Sequence, residues 1–126
     1  MKTVLIIEDN ENNMELISFI LEASSYKVIK ADTGLLGQKL ALELKPDLVV
    51  LDIQLPDIDG TKVLEGIRIF DAGHTIPVIA MTSFAMSGDR ESLMAAGCDG
   101  YIEKPIDPDR VVSQIEAILG ELSCES

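Results

Sequence analysis

The stretch Leu48-Val49-Val50-Leu51-Asp52 is a run of apolar residues that stops on a carboxylate. The run Val4-Leu5-Ile6-Ile7 stops in the same way on Glu8-Asp9. Short continuous apolar runs bounded by turn residues read as strands buried on both faces, the habit of parallel sheets. Two such strands side by side deliver their terminal acids to one edge of the sheet. Carboxylates crowded there repel one another, so folding alone gives no reason for the arrangement. A divalent cation gives one, and so does chemistry on one of the acids.

Outward from these two runs, strand and helix periods alternate along the whole chain. Residues 4–7 read as a strand, and 10–23 as a helix with Asn13, Leu16, Ile17, Ile20 and Leu21 on one face. Residues 26–31 read as an edge strand with Lys27 and Lys30 outward. A second helix, capped by Asp32 or Thr33, runs to Leu44, and Pro46-Asp47 turns the chain into strand 48–52. A loop with Pro56 ends at Gly60. Helix 61–70, strand 78–82, helix 86–96 and strand 100–103 follow. Pro108 starts the last helix, which Gly120 is expected to end, leaving a frayed tail.

Strict strand–helix alternation requires a parallel sheet with helices on both faces. The expected fold is α/β, a flavodoxin-like (βα)5 doubly wound sheet in the order 2-1-3-4-5. Its topological switch point lies between strands 1 and 3, where such sheets bind ligands at the carboxyl ends of the strands. Glu8, Asp9 and Asp52 fall there. Thr82 ends strand 4 and Lys104 follows strand 5, so the same edge also gains a hydroxyl and an ammonium.

These groups suit one chemistry. Mg2+ takes hard oxygen ligands and joins one or two carboxylates to a phosphate. Asp9 and Asp52 are the expected direct ligands, Glu8 reaches the ion through water, and the Gln54 backbone carbonyl adds an oxygen. Asp52 is the expected nucleophile toward a phosphoryl donor. The ion, Lys104 and Thr82 then each hold an oxygen of the transferring group.

Composition narrows the function classes. The chain has 126 residues, enough for one domain that buries roughly two-thirds of its unfolded surface. Its net charge of −12 disfavours nucleic acid and anionic membranes. No apolar stretch approaches the ~20 residues of a membrane span, and Met1-Lys2 leads straight into a strand, so no signal peptide is expected. Cys98 and Cys124 are expected to be free thiols in a reducing cytoplasm. His74 reads as solvated, and Asp57 and Asp59 as turn residues.

The set Glu8-Asp9, Asp52 followed by Leu55-Pro56 and Gly60, Thr82-Ser83, and Lys104-Pro105 resembles the receiver domain of two-component response regulators, over essentially the whole chain. Glu8-Asp9-Asn10, Asp52-Ile53-Gln54-Leu55-Pro56, and Phe84-Ala85-Met86 with Gly88-Asp89 resemble stand-alone receivers of the DivK type and receiver domains of hybrid kinases. The resemblance implies Asp52 as phosphoacceptor, Glu8 and Asp9 as the acid pocket, Thr82 as the switch hydroxyl and Lys104 as the phosphate-pairing lysine. It further implies Tyr101 as a rotating switch and a cis bond before Pro105. Ser83 stands where many receivers have alanine.

The resemblance also implies partners: a histidine kinase or histidine phosphotransfer protein as donor, and an effector reading the face of helix 4, strand 5 and helix 5. Mn2+ could replace Mg2+. The chain is expected to be a cytoplasmic monomer or a phosphorylation-dependent dimer. Residues 1–122 form the receiver and 123–126 a tail, with no output domain. Phe19 lies off the apolar face of helix 1, so Asn10, Asn13 and Phe19 are expected to border the donor's docking surface.

Three other readings compete. A receiver excised from a hybrid sensor kinase would have the same residues. A receiver fold that only binds partners would lack the pocket set. A Mg2+-dependent phosphatase with an aspartyl nucleophile would need a general acid–base two residues after Asp52, where Gln54 stands. The chain is therefore expected not to be an enzyme beyond its own phosphoryl transfer and autodephosphorylation.

Overall fold

The computed structural model describes residues 2–55, 57–71, 76–82, 87–104 and 106–124, with backbone alone at 87–90 and 121–124. The elements alternate as β1 (Thr3–Ile7), α1 (Glu11–Ala23), β2 (Lys27–Ala31), α2 (Gly34–Leu44), β3 (Leu48–Asp52), α3 (Gly60–Phe70), β4 (Val78–Thr82), α4 (Ser87–Ala96), β5 (Gly100–Glu103) and α5 (Val111–Cys124). All five strands are parallel, in the order β2-β1-β3-β4-β5. The expected doubly wound sheet is therefore the observed one. Expectations resting on Pro56, His74, Ser83, Phe84-Ala85-Met86, the Pro105 bond and the side chains of Gly88-Asp89 and Cys124 lie outside the described residues.

Successive residues of a strand face opposite sides of a sheet, and the core divides accordingly. Leu5, Ile7, Val49, Leu51, Val78 and Ala80 pack with Val63, Leu64 and Ile67 of α3 and Leu93 of α4. Val4, Ile6, Leu48, Val50, Ile79 and Met81 pack with Met14, Ile17 and Leu21 of α1 and Val111 and Ile115 of α5. β3 and β4 are buried at every position, which is why their sequences show no polar alternation. β2 pairs on one side only and exposes Lys27 and Lys30.

Three local expectations are corrected. The buried face of α1 is Met14, Ile17, Ser18 and Leu21, and Leu16 is 38 % exposed. Apolar residues at 16, 17, 19, 20 and 21 crowd so much of the helix that the sequence does not fix its phase. Pro108 lies in a turn before α5; Asp107 closes that turn by accepting Asp109 N–H on its side chain at 3.0 Å and Val111 N–H on its carbonyl at 2.9 Å. Gly120 does not end α5, which continues to Cys124.

Candidate functional site

Parallel pairing sets the site. Ile7 lies beside Leu51, Asp52 beside Met81, and Thr82 beside Glu103. The residues at or just beyond these ends, Glu8, Asp9, Asp52, Thr82 and Lys104, therefore share the carboxyl edge. Glu8, Asp52 and Thr82 are buried, at 1 %, 2 % and 3 % exposed. Asp9 is exposed. One carboxylate oxygen from each of Glu8, Asp9 and Asp52 lies within 4.8 Å of the other two.

Lys104 enters from the end of β5. Its Nζ stands 3.0 Å from Asp52 Oδ1 and donates to Glu8 Oε1 at 3.5 Å. Asp52 Oδ1 also accepts Gln54 N–H at 3.0 Å, which fixes the carboxylate's rotation. Glu8 is the strained member. Burial first, and then the adjacent Asp52 carboxylate, push it from 4.5 up to about 7, while Lys104 and the Asn13 side chain pull it down by less. Its Oε2 is buried without a hydrogen-bond partner among the described residues. A buried oxygen left unsatisfied costs stability, and a cation beside it removes that cost. The donor set is all oxygen and suits a hard divalent ion.

The loop after Asp52 is shaped to keep the acids in place. Gly60 N–H donates to Ile53 carbonyl at 2.9 Å and closes the loop at the start of α3. A Cβ on Gly60 would lie 2.5 Å from Ile53 Cα and 2.7 Å from the Asp52 carbonyl oxygen, so glycine is required by backbone contact. Asp59 caps α3 by accepting Thr61 N–H at 2.8 Å. Asp57 is more than the turn residue expected. Its carboxylate reaches α2 and accepts Gly34 N–H and Leu35 N–H at 2.9 and 3.0 Å. Those two bonds hold it below the usual carboxylate range.

The remaining candidates lie around this edge. Asn10 is exposed and caps α1, its Oδ1 accepting Asn13 N–H at 3.0 Å. Asn13 is half-buried beside Glu8. Phe19 is 74 % exposed further along α1. Tyr101 is half-buried against the core. A groove of about 480 Å³ opens from the pocket between Glu8, Asp9, Met14, Glu15, Lys30 and Asp32. Cys98 is a buried free thiol. Among the described residues, no helix is long and apolar enough to cross a membrane.

Sequence reasoning missed Arg68 at the opposite edge. Its guanidinium donates to Gly97 carbonyl at 2.9 Å, Ile76 carbonyl at 2.6 Å, and the carboxylates of Asp71 and Asp99 at 3.0 Å each. The Arg68–Asp71 pair, three apart across the carboxyl end of α3, was the one local signal for it.

Comparison with known proteins gives a consistent answer. The model of the response regulator receiver domain matches residues 4–116. The polar-differentiation response regulator DivK of Brucella anthropi is 45 % identical over 120 residues, 95 % of this chain and 98 % of that protein. A CheY-like receiver domain protein from Methanospirillum hungatei superposes with a TM-score of 0.89 at 30 % identity, covering 100 % of this chain and 99 % of that one. The receiver domain of a sensor histidine kinase from Pseudomonas aeruginosa, solved with a magnesium ion coordinated in its active site cleft, superposes with a TM-score of 0.84 at 29 % identity, covering 94 % and 98 %. With the sheet order, the acid cluster at the sheet edge and a family match over most of its length, this chain belongs to the receiver domain family of two-component response regulators.

Proposed function

We propose that Asp52 is the phosphoacceptor, and that the donor is a phosphohistidine on a histidine kinase or a histidine phosphotransfer protein. The observation that carries this is the convergence of Lys104 and two further carboxylates on a buried Asp52 whose Oδ1 is already oriented by Gln54 N–H. In the transfer, a bond forms between an Asp52 oxygen and phosphorus while the phosphorus–nitrogen bond breaks. The electron pair of that bond stays on the departing imidazole. Among the described residues, the Gln54 N–H and the Lys104 ammonium both act on Oδ1, so Oδ2 is assigned as the attacking oxygen.

Asp9, Asp52 and the Gln54 carbonyl would hold Mg2+, or Mn2+ in its place, with Glu8 acting through water; the ion when bound neutralises charge on the phosphoryl oxygens. Lys104 pairs a phosphoryl oxygen once the acyl phosphate replaces the Asp52 charge. Thr82, at the end of β4, donates its hydroxyl to another. An added charge of about −2 draws both side chains inward. Tyr101 rotates with Thr82 and changes the face of α4, β5 and α5 that an effector protein reads.

Asn10, Asn13 and Phe19 border the donor's docking surface on α1, supported by the 74 % exposure of Phe19 on the helix that starts just after Asp9. The chain acts in the cytoplasm, as a monomer or a phosphorylation-dependent dimer, and signals through protein contacts rather than by turning over a substrate.

The test is phosphoryl transfer from a radiolabelled, phosphorylated donor domain. Asp52→Asn abolishes labelling, while Phe19→Ala slows it without abolishing it. Full labelling of Asp52→Asn overturns the assignment.

A further inference from the structure

We infer that Asp57 is a positioning residue for the metal: by tying the loop after Asp52 to the amino end of α2, it holds the Gln54 carbonyl in place and thereby sets Mg2+ affinity. The inference rests on the metal reading given above.

The joint has three parts. Asp57 accepts the first two N–H groups of α2, Gly34 and Leu35, one on each carboxylate oxygen. Gly34 lets the loop come close. A Cβ there would overlap Ile58 Cγ2 and lie 2.8 Å from Val63 Cγ2 and 3.1 Å from Leu55 Cδ1. Leu55 and Ile58 of the loop are therefore seated against the first turn of α2. The third part is one turn further along the same face of α2, where Gly37 rests directly on the Ile7 side chain. Ile7 immediately precedes Glu8 and Asp9. Through α2, Asp57 thus references the loop carrying Gln54 to the strand end that carries the other two acids.

Simple helix capping does not require this reach. Thr33, adjacent in sequence, already caps α2 by accepting Leu36 N–H at 3.2 Å. Asp57 arrives from a loop 23 residues away, and that loop is otherwise pinned by the Gly60–Ile53 bond and by Asp52 Oδ1. Without Asp57, the span between those two pins loses its outer anchor.

Residues that orient metal ligands typically change affinity by about 10-fold or more when removed. Asp57 stands three positions after Gln54 in the loop and acts on it indirectly, so a loss of about three- to tenfold is expected. The test is calorimetric titration of Mg2+ into the full chain and its Asp57→Ala, Asp57→Asn and Asp47→Ala variants. Asp47 is the control: it accepts Thr3 N–H at 2.7 Å at the opposite edge. Asp57→Ala should weaken Mg2+ by that factor. Asp57→Asn, with one acceptor oxygen for two donors, should fall between it and the parent, and Asp47→Ala should match the parent. In the parent, the Gly34 and Leu35 amide resonances should shift as Mg2+ is added. If Asp57→Ala does not fold, Asp57→Asn against Asp47→Ala carries the test. Equal Mg2+ affinity for the Asp57 variants and the parent, with a drop in melting temperature alone, reduces Asp57 to a cap and overturns the inference while leaving the metal reading intact. A parent that binds no Mg2+ overturns both.

Discussion

Lys104 Nζ sits 3.0 Å from Asp52 Oδ1 with only 14 % of its side chain exposed, so the two form a largely buried ion pair that bridges the ends of β3 and β5 past the end of β4. The same ammonium is 3.5 Å from Glu8 Oε1 and is shared between two acids. Breaking a buried pair from one side typically costs about 3–5 kcal/mol, because the remaining charge is stranded. Here Glu8 can relieve part of the strain by holding a proton. Lys104→Met should therefore lower metal-free stability by about 2–3 kcal/mol at pH 8 and by clearly less near pH 5. Urea denaturation at the two pH values measures it. An equal loss at both would show that Lys104 does not offset the Glu8 charge.

Glu8 gives a pH dependence of defined sign. Its folded-state value of about 7 lies above the ordinary 4.5. The folded chain thus holds a proton that the unfolded chain releases, and the associated stability is complete below pH 4.5 and gone above about 7. Metal-free Glu8→Gln lacks this loss. Its stability relative to the parent should rise across that window by up to about 3 kcal/mol. Mg2+ competes with the same proton, so its affinity for the parent should increase through the window. A difference curve that is flat with pH would mean that Glu8 is ionised throughout.

The fold and the core of the site were legible because both rest on local patterns that the tertiary structure does not override. β1, β3 and β4 are continuous apolar runs because both faces are covered, and each hands its last polar residue to one edge. The illegible parts depend on distant partners. Asp57 looks like an ordinary loop acid until α2 folds against it, and Arg68 finds Gly97 and Asp99 across another helix and strand. Leu16 was misplaced for a different reason: α1 carries more apolar residues than its buried stripe needs, and packing on Val4 and Ile6 selects the phase. Gly120 was read as a helix stop, yet α5 passes through it.

Two glycines make a contrasting pair. Gly60→Ala sets a Cβ against backbone atoms of Asp52 and Ile53, which cannot move without shifting Asp52 itself. A loss of about 1–3 kcal/mol is expected, with weaker Mg2+ binding. Gly120 lies inside α5 with nothing within 4 Å of an added Cβ among the described residues. Gly120→Ala should raise stability by up to about 1 kcal/mol through helix propensity and leave Mg2+ affinity unchanged. Thermal denaturation and Mg2+ titration of both variants check this. A neutral Gly60→Ala would mean that the loop is loose enough to yield, contrary to the Gly60–Ile53 closure.

Arg68 separates stability from phosphoryl chemistry. Its side chain is 12 % exposed, and the carboxylates of Asp71 and Asp99 are 8 % and 6 % exposed. Each acid also accepts a backbone N–H, Asp71 from Ile76 and Asp99 from Val78, so the cluster fixes where the chain enters β4. Arg68→Ala leaves two buried carboxylates without their shared cation, at an expected loss of about 3–5 kcal/mol. Arg68→Lys recovers little of it, because one ammonium cannot reproduce the planar fork that meets two carbonyls and two carboxylates at once. The cluster lies at the amino end of β4, and Thr82 lies at the other end. Variants that remain folded should therefore bind Mg2+ as the parent does and accept phosphoryl groups at the parent's rate. Denaturation midpoints set beside Mg2+ dissociation constants test this, and a parallel fall in both would show that the entry to β4 controls the acid pocket across the length of the strand.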